Sequence, residues 1–427
     1  MKKNFVRAVL IASLLGSTAF FAASQAQADD KKKDTAVTNP AIGKALQEAQ
    51  DDIKKNDIPD AAAALKTAQA VPNPTPIESY YMTKFVAAIA IAQKDYATAY
   101  AAYKANAESP LILDEDKKDI YHNGMLLAST QKDWPETIVL GKQLEGINGA
   151  DEQAYGVIAL AYYNTGDMTN AKAYAQKSID AAKAAGKQPN STVMEIVMGA
   201  EAKSNDQAGA LQTLEQIVLQ SNKTDDWAQL TNLGLSVKGI KYIDALYVYR
   251  LKEATGSIAT DDYVTAGEVA ATLGYPTEAM KFFEKAISSG KGGDIPQLAK
   301  TRKDAAEDEH SLSMLAASAA KSKSGEQDVK MAEDYWGYGR YADAEASARS
   351  AIAKGGLKDA SEGQVILGSA LAMQGKYDEA IQTLGQVSGN EGRMKAAHLW
   401  SVYAQAKKNQ AGGATTAAAP AQQPPAH

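Results

Sequence analysis

Residues 364–387 read QVILGSALAMQGKYDEAIQTLGQV, and they predict a pair of helices. Leu367 and Leu371 are four residues apart before the turn, and Ala380 and Leu384 are four apart after it. Residues at this spacing lie on one face of an α-helix, so each half predicts an amphipathic helix. Gly375 lies between the halves, and a glycine there allows the positive φ that ends a helix. The stretch therefore predicts two antiparallel helices joined by a tight turn.

The same pattern recurs along most of the chain. A helical segment ends in Gly, Asn or Lys, and a small residue follows a few positions later in a second helix. The intervals between these small residues are 34 to 39 residues, apart from one of 65. Because 65 is close to two units, we expect one degenerate unit over residues 291–325. The small residues are Ala61, Ala99, Thr137, Ala171, Ala210, Ala245, Ala279, Ala344 and Ala380.

This period has a physical basis, because two helices of about 12–14 residues with their turns use about 34 residues. A single pair cannot bury its apolar face, so neighbouring pairs have to stack. The pattern resembles that of tetratricopeptide (TPR) repeats over residues 41–408. The resemblance implies an all-α, right-handed superhelical solenoid of about ten helix pairs. The family's first-helix Trp and terminal Pro are mostly absent, and a plain helical bundle with accidental periodicity is the alternative.

The two ends of the chain differ from this repetitive body. Residues 1–28 combine a basic start, an apolar run over residues 8–23 and a small-residue cleavage site at residues 26–28, as secretory signal peptides do. The apolar run is shorter than the roughly 20 residues of a spanning helix, so we expect cleavage rather than a membrane anchor. We therefore predict a periplasmic or secreted protein with no membrane span in the mature chain. Residues 29–40 form a charged lead-in and residues 409–427 a low-complexity tail, and both are predicted to be flexible.

The composition argues against several classes of functional site. The 427 residues include no Cys and only four His, which excludes disulfides and thiolate chemistry and disfavours a metal site. A formal net charge of −6 argues against nucleic-acid binding. The run Gly290-Lys291-Gly292-Gly293 lacks the spacing and the hydroxyl group of a phosphate-binding loop. We therefore predict no catalytic residue, no metal and no cofactor.

The resemblance also implies where a partner would bind, because the first helices of TPR repeats line a groove that holds extended peptides. The corresponding residues are neutral and partly aromatic in the early repeats and more acidic in the late ones. We expect the early part to take an apolar or aromatic peptide and the late part a basic one. The alternative is that the tyrosines pack between helices with their hydroxyls at the rim. The implied groove residues are Tyr81, Lys84, Ile91, His122, Leu126, Leu160, Tyr163, Asn164, Glu268, Glu333 and Trp336.

The predicted function is that of a non-enzymatic exported scaffold that binds proteins or peptides, an inference from fold by analogy. Two alternatives stay open. One is a periplasmic subunit of a polysaccharide-export or outer-membrane assembly machine. The other is a glycan-acting enzyme on a helical solenoid, for which Glu195 and Glu201 on one first helix are the nearest paired carboxylates.

Overall fold

The computed structural model describes residues 36–290 and 295–417, with side chains as far as residue 411. Within these ranges the chain forms helices, turns and short connections, and no strand. The helices fall into two units, which are divided between Ala210 and Leu211. The predicted all-α fold of repeated helix pairs is confirmed for the described residues.

The first unit contains four complete helix pairs, a further first helix and the beginning of its partner. Each helix from α1 to α8 packs against the next one in the chain, and α1 with α3, α5 with α7 and α7 with α9 also pack together. This is the contact order of a repeat array, in which each pair stacks on its neighbour. The helices are α1 (Pro40–Lys54), α2 (Ile58–Gln69), α3 (Pro76–Ala92), α4 (Tyr96–Ala107), α5 (Asp114–Thr130), α6 (Trp134–Gly146), α7 (Glu152–Thr165), α8 (Met168–Ala184), α9 (Ser191–Lys203) and α10 (Gln207–Ser221), and α10 spans the division.

The five turns inside these pairs share one local structure. The residue that ends each first helix has a positive φ, between 61° and 89°. The next residue is an aspartate whose carboxylate accepts a hydrogen bond from a backbone N–H three residues on. An N-cap of this kind satisfies one of the N–H groups that the start of a helix leaves free. The turns are Asn56-Asp57, Lys94-Asp95, Lys132-Asp133, Gly166-Asp167 and Asn205-Asp206.

The small residues that set the predicted period lie where the two helices of a pair approach each other. Eight of the nine are buried. The exception is Ala210, which is half-buried and lies at the division between the units. A larger side chain at a buried position would force the paired helices apart. The spacing therefore predicted correctly where the pairs form.

The second unit contains four helix pairs and two single helices. With the five pairs that begin in the first unit, the described residues hold nine pairs, against the ten or so expected. The helices are α11 (Thr224–Leu235), α12 (Tyr242–Ala254), α13 (Thr260–Leu273), α14 (Pro276–Ser288), α15 (Pro296–Lys321), α16 (Glu326–Gly337), α17 (Tyr341–Lys354), α18 (Ala360–Met373), α19 (Tyr377–Leu384) and α20 (Glu391–Ala417).

The degenerate unit that we expected over residues 291–325 is a single helix in the structure. Helix α15 has 26 residues and is about 39 Å long at 1.5 Å per residue. Between its ends the sequence contains no Gly or Asn that would break it, and it is rich in alanine. The interval of 65 residues therefore reflects one uninterrupted helix rather than a second helix pair. Residues 291–294 lie outside the described residues.

The beginning of the repeat array is held more firmly than a flexible lead-in would be. Asn39 caps α1, which starts at Pro40. The backbone N–H groups of Thr38 and Asn39 donate hydrogen bonds to the Glu78 carboxylate on α3, at 3.0 and 2.7 Å. The last residues of the predicted lead-in are therefore part of the first unit. The predicted signal peptide, residues 1–28, lies outside the described residues.

The end of the repeat array also differs from the predicted boundary at Lys408. Helix α20 continues to Ala417, so it includes the first residues of the predicted tail. Residues 409–417 contain three Ala, two Gly and two Thr, and alanine has the highest helix propensity of any residue. The rest of the predicted tail, residues 418–427, lies outside the described residues.

The last helix of the second unit packs against the first helices of the same unit. Helix α20 contacts α18 and α19, which precede it, and it also contacts α11 and α12. Two of its hydrogen bonds to α12 join residues that are 149 and 153 positions apart in the sequence. In an open repeat array each pair contacts only its neighbours. This unit therefore returns on itself.

Candidate functional site

On helix α3, the predicted groove residues Tyr81 and Lys84 form a group of an aromatic ring and a lysine. Tyr81 and Lys84 are both half-buried. The Lys84 Nζ atom lies 2.6 Å from Asp116 Oδ1 of α5 and 5.8 Å from the centroid of the Tyr81 ring. Asp116 also accepts a hydrogen bond from the Tyr80 hydroxyl at 2.7 Å, and burial together with this carboxylate raises the pKa of Tyr80. The charge of Lys84 is therefore compensated within the chain.

Two of the predicted groove residues belong to the hydrophobic core of the first unit instead. Leu126 on α5 is completely buried, and Ile91 on α3 is buried as well. Both belong to the largest apolar cluster of this unit. They pack between helices and are not open to a peptide. His122, four residues before Leu126, is half-buried.

Helices α7 and α9 form a second aromatic and cationic group, which lies nearer to the turn of its helix pair than Tyr81 does. The Tyr163 ring lies against Gly199, where an added Cβ would come within 2.6 Å of the Tyr163 hydroxyl oxygen. Lys203 Nζ lies 4.3 Å from the centroid of this ring, which is a cation–π distance. Leu160 is half-buried, and Asn164 is exposed with its amide bonded to the Leu160 carbonyl at 2.7 Å.

The accessible members of the predicted set that belong to the first unit lie on its first helices, and Lys203 of α9 lies beside one of them, Tyr163. We refer to these residues as the first-helix face. The structure leaves all of them half-buried or exposed, which permits contact with a partner. The first-helix face comprises Tyr81, Lys84, His122, Leu160, Tyr163, Asn164 and Lys203.

The late groove residues Glu333 and Trp336 are buried inside the second unit. Glu333 Oε2 accepts a hydrogen bond from Arg250 at 2.6 Å, and its other oxygen accepts one from the Tyr247 hydroxyl. Arg250 also makes two hydrogen bonds to Glu278, at 2.7 and 2.6 Å. One guanidinium thus joins helices α12, α14 and α16.

The carboxylates of Glu278 and Glu333 keep the Arg250 guanidinium protonated. Burial by itself lowers the pKa of the Arg250 guanidinium, but the carboxylates of Glu278 and Glu333 outweigh that effect and hold the pKa well above its usual value. Arg250 is therefore charged, and it is the group that compensates both buried carboxylates. Because Glu333 is already paired with Arg250, it is not available to a basic peptide.

The indole of Trp336 is enclosed by aromatic and cationic neighbours. Its ring centroid lies 5.5 Å from that of Trp400 and 4.9 Å from that of Tyr341, both in edge-to-face geometry. Arg250 Cζ lies 5.1 Å from the same ring. Glu268 on α13 is exposed and belongs to neither group. The structure therefore does not bring Glu268 together with Glu333 and Trp336 on an open acidic face.

A second buried ion pair in this unit was not predicted from the sequence. Arg393 on α20 has a side chain that is 1% exposed, and its Nε atom donates to Asp244 Oδ1 on α12. A further guanidinium nitrogen of Arg393 lies 3.3 Å from Asp359 Oδ2 at the start of α18. Every residue of α12 from Asp244 to Lys252 is buried. Residues 245–249 are all apolar or aromatic and therefore cover every face of the helix, and this short run was the available signal for burial.

The two carboxylates considered for catalysis do not converge. Glu201 is buried and forms an ion pair of 2.9 Å with Lys172, whereas Glu195 on the same helix is exposed. Among the residues with described side chains, no cluster of three or more His, Asp or Glu residues is arranged to hold a metal ion. None of the described helices is both long and apolar enough to cross a membrane.

Comparisons with known proteins agree with the repeat pattern. Family models described as tetratricopeptide repeat match residues 152–184, 263–289 and 329–388. The chain therefore contains tetratricopeptide repeats, in both units. No curated protein matched the sequence.

Solved structures that match this chain do so at low sequence identity and low TM-score. A tetratricopeptide repeat protein from Parabacteroides merdae ATCC 43184 is 14% identical, with a TM-score of 0.34, and the match covers 62% of this chain and 99% of that one. The apo form of RapI is also 14% identical, with a TM-score of 0.33, and the match covers 73% of this chain and 97% of that one.

Proposed function

We propose that this chain is a non-enzymatic scaffold that binds a protein or peptide partner on the first-helix face of its first unit. The observation that carries the proposal is the repetition of an aromatic ring with a neighbouring lysine, Tyr81 with Lys84 and Tyr163 with Lys203. Both tyrosines are half-buried on first helices, and Tyr163 lies within a matched tetratricopeptide repeat. Proteins with such repeats generally act as interaction scaffolds rather than as enzymes.

The chemistry of this face favours an apolar or aromatic peptide. Tyrosine rings that are partly exposed offer large contact areas with little loss of side-chain entropy on binding. Lys84 is already paired with Asp116, so it adds little net charge for a partner to recognise. The buried Glu333 gives no support to the basic-peptide part of the prediction, and we do not include it.

We further propose that the protein acts outside the cytoplasm. This part rests on residues 1–28 alone, whose basic start, apolar run and small-residue cleavage site are typical of a bacterial secretory signal. Removing these residues changes the formal net charge from −6 to −9. Sequencing the N-terminus of protein recovered from the envelope or medium tests the proposal, since we expect it to begin at Asp29.

The binding proposal is tested by capturing partners from an envelope extract on the chain that starts at Asp29. We expect one protein to bind at a fixed ratio and to be lost with the Tyr81→Ala and Tyr163→Ala variants. Tyr242→Ala is the matched control, because Tyr242 is 59% exposed and lies in the second unit. A partner held by apolar contacts should stay bound at about 0.5 M salt, where the Debye length is only a few ångströms.

The capture experiment also distinguishes the two alternative functions, a subunit of an envelope machine and a glycan-acting enzyme. A partner that belongs to an export or assembly complex of the envelope would place the scaffold in that machine. Retention on glycan material with no protein partner, or capture that is the same for both tyrosine variants, would contradict the proposal.

A further inference from the structure

Helix α20 is held in the second unit by a set of side chains with the spacing of a helical ligand. Arg393, Trp400 and Tyr403 are buried and lie at positions i, i+7 and i+10, which share one face of an α-helix. Helices that bind in grooves of other proteins use anchors at this kind of spacing. The surface beneath α20 is formed by α11, α12, α18 and α19, with Trp336 of α16.

Each anchor has its own site on that surface. Arg393 pairs with the buried Asp244 of α12. Trp400 Nε1 donates a hydrogen bond of 2.9 Å to the Tyr247 carbonyl of α12. Tyr403 packs edge-to-face on Trp227 of α11, with ring centroids 6.1 Å apart.

At two points a side chain on one side of the contact packs against a glycine on the other. A Cβ added at Gly234 of α11 would lie 2.6 Å from Leu399 Cδ1 of α20. A Cβ added at Gly392 of α20 would lie 3.1 Å from Ile240 Cγ1. Glycine therefore makes room on both sides of the contact, so the two surfaces are complementary in shape as well as in charge.

We propose that this surface of the second unit is a binding site for an amphipathic helix that carries Arg, Trp and Tyr at positions i, i+7 and i+10, and that α20 is its resident ligand within the chain. A partner helix with the same pattern would displace α20 and occupy the surface. The site lies in the second unit, so the proposal is independent of the first-helix face.

Two features favour displacement over permanent burial. A buried ion pair such as Arg393 with Asp244 gives specificity more than stability, because both charges lose their hydration. The second oxygen of Asp244 is buried and has no hydrogen-bond partner, so the pairing is incomplete. In addition, the covalent connection between α19 and α20 is short and contains two glycines, at residues 385–390.

The test uses the full chain with a specific protease site inserted after Ser388. After cleavage the C-terminal segment is held by its contacts alone, and a fluorescent peptide of residues 391–410 is added in excess. We expect the labelled peptide to exchange into the site, with a saturable rise in fluorescence anisotropy. Peptides with Arg393→Ala or Trp400→Ala should bind about thirtyfold more weakly, as expected for buried anchor residues.

The matched control is a Met394→Ala peptide, since Met394 is 45% exposed on the same helix and should affect binding less than about twofold. A second measurement uses uncleaved protein with Arg393→Ala, in which proteolysis at residues 385–390 should accelerate at least tenfold while the circular dichroism is retained. Cleaved protein that takes up no peptide, or that loses its helical signal when α20 leaves, would show that α20 is an integral part of the unit. Equal binding of the anchor and control peptides would also overturn the proposal.

Discussion

Two lysines in the first unit occupy backbone conformations that ordinarily favour glycine. Lys94 and Lys132 both have a φ of 62° in the turn between paired helices. A residue with a Cβ in this left-handed region costs about 1–2 kcal/mol relative to the right-handed one. The corresponding turn residue Gly166 has a φ of 89° and avoids this cost.

We therefore predict that Lys132→Gly increases the free energy of unfolding by about 0.5–1 kcal/mol, because part of the gain is offset by the greater chain entropy of glycine. The reverse exchange, Gly166→Ala, should decrease it by about 1 kcal/mol. No atom lies within 4 Å of an added Cβ at Gly166, so that change tests backbone strain alone. Urea unfolding measures both values, and a destabilised Lys132→Gly protein would contradict the argument.

Arg250 joins three helices of the second unit through its buried guanidinium group. It is the cation bound to both Glu278 and Glu333. We predict that Arg250→Met lowers the free energy of unfolding by about 3–5 kcal/mol, because two buried carboxylates lose their counter-ion. Thermal unfolding at neutral pH measures the loss, and acidic pH should restore part of it by protonating the carboxylates.

Arg340→Met is the control for this change. Arg340 forms a half-exposed pair with Asp343 at 2.7 Å, and surface pairs contribute about 0–1 kcal/mol. If both methionine variants unfold at the same temperature, the buried network does not stabilise the unit as described.

At the scale of elements, helices α16 and α18 bring two unpaired acids toward the same interior. Burial is the main cause that raises the pKa of Asp334 to about 7, and the carboxylates of Asp308 and Glu333 add to it. Burial likewise raises the pKa of Glu362 to about 7, with a further contribution from Glu333. Packing these helices together therefore favours the protonated form of both side chains.

The raised pKa values of Asp334 and Glu362 make the stability of the second unit depend on pH. The unfolded chain releases these protons near pH 4, whereas the folded chain holds them until about pH 7. The contribution of these groups to stability is therefore greatest below pH 4 and is lost as pH rises toward 7. Asparagine resembles the protonated form of Asp334 and does not ionise. The Asp334→Asn substitution therefore removes this residue's part of the loss of stability at higher pH.

We predict that Asp334→Asn raises the free energy of unfolding by about 1–2 kcal/mol at pH 8 and changes it little at pH 4. The value is smaller than the full shift would give at 1.36 kcal/mol per pH unit, because solvent screens a side chain that is only partly buried. Glu307→Gln on the exposed side of α15 is the control. Urea unfolding at both pH values measures the difference, and an equal gain at pH 4 and pH 8 would contradict the assignment.

At the scale of the whole molecule, the tryptophans are distributed unequally between the two units. Trp227, Trp336 and Trp400 belong to the second unit, and Trp134 belongs to the first. Tryptophan fluorescence therefore reports mainly on the second unit, whereas far-UV circular dichroism reports on the helices of both.

We predict that Arg250→Met lowers the midpoint of the fluorescence transition more than that of the circular dichroism transition. The physical reason is that the stability of a repeat protein is distributed along the chain, so damage to one unit need not unfold the other. Phe85→Ala in the core of the first unit is the reverse control, and it should shift the dichroism transition more. Coincident transitions for both variants would show that the chain unfolds as one cooperative structure.

Much of the local structure followed from sequence patterns alone. Helix periodicity and turn residues act over a few positions, so the small residues from Ala61 to Ala380 located nine helix pairs and their turns. The same rules explain why the expected helix pair over residues 291–325 is a single helix. Residues 296–321 contain no Gly or Asn that would break α15. The same periodicity predicted that Tyr81 and Tyr163 lie on first helices of the first unit, and the structure has both on first helices, half-buried.

The closure of the second unit could not be read from the sequence. It depends on the small rotations between stacked helix pairs, which add up until α20 meets α12, and on contacts between residues about 150 positions apart such as Asp244 with Arg393. A repeat pattern is the same in an open and in a closed array, so it placed Glu333 and Trp336 on an exposed face. Local periodicity thus determined which helices form and where they turn, and only long-range packing determined which of their faces remain open to a partner.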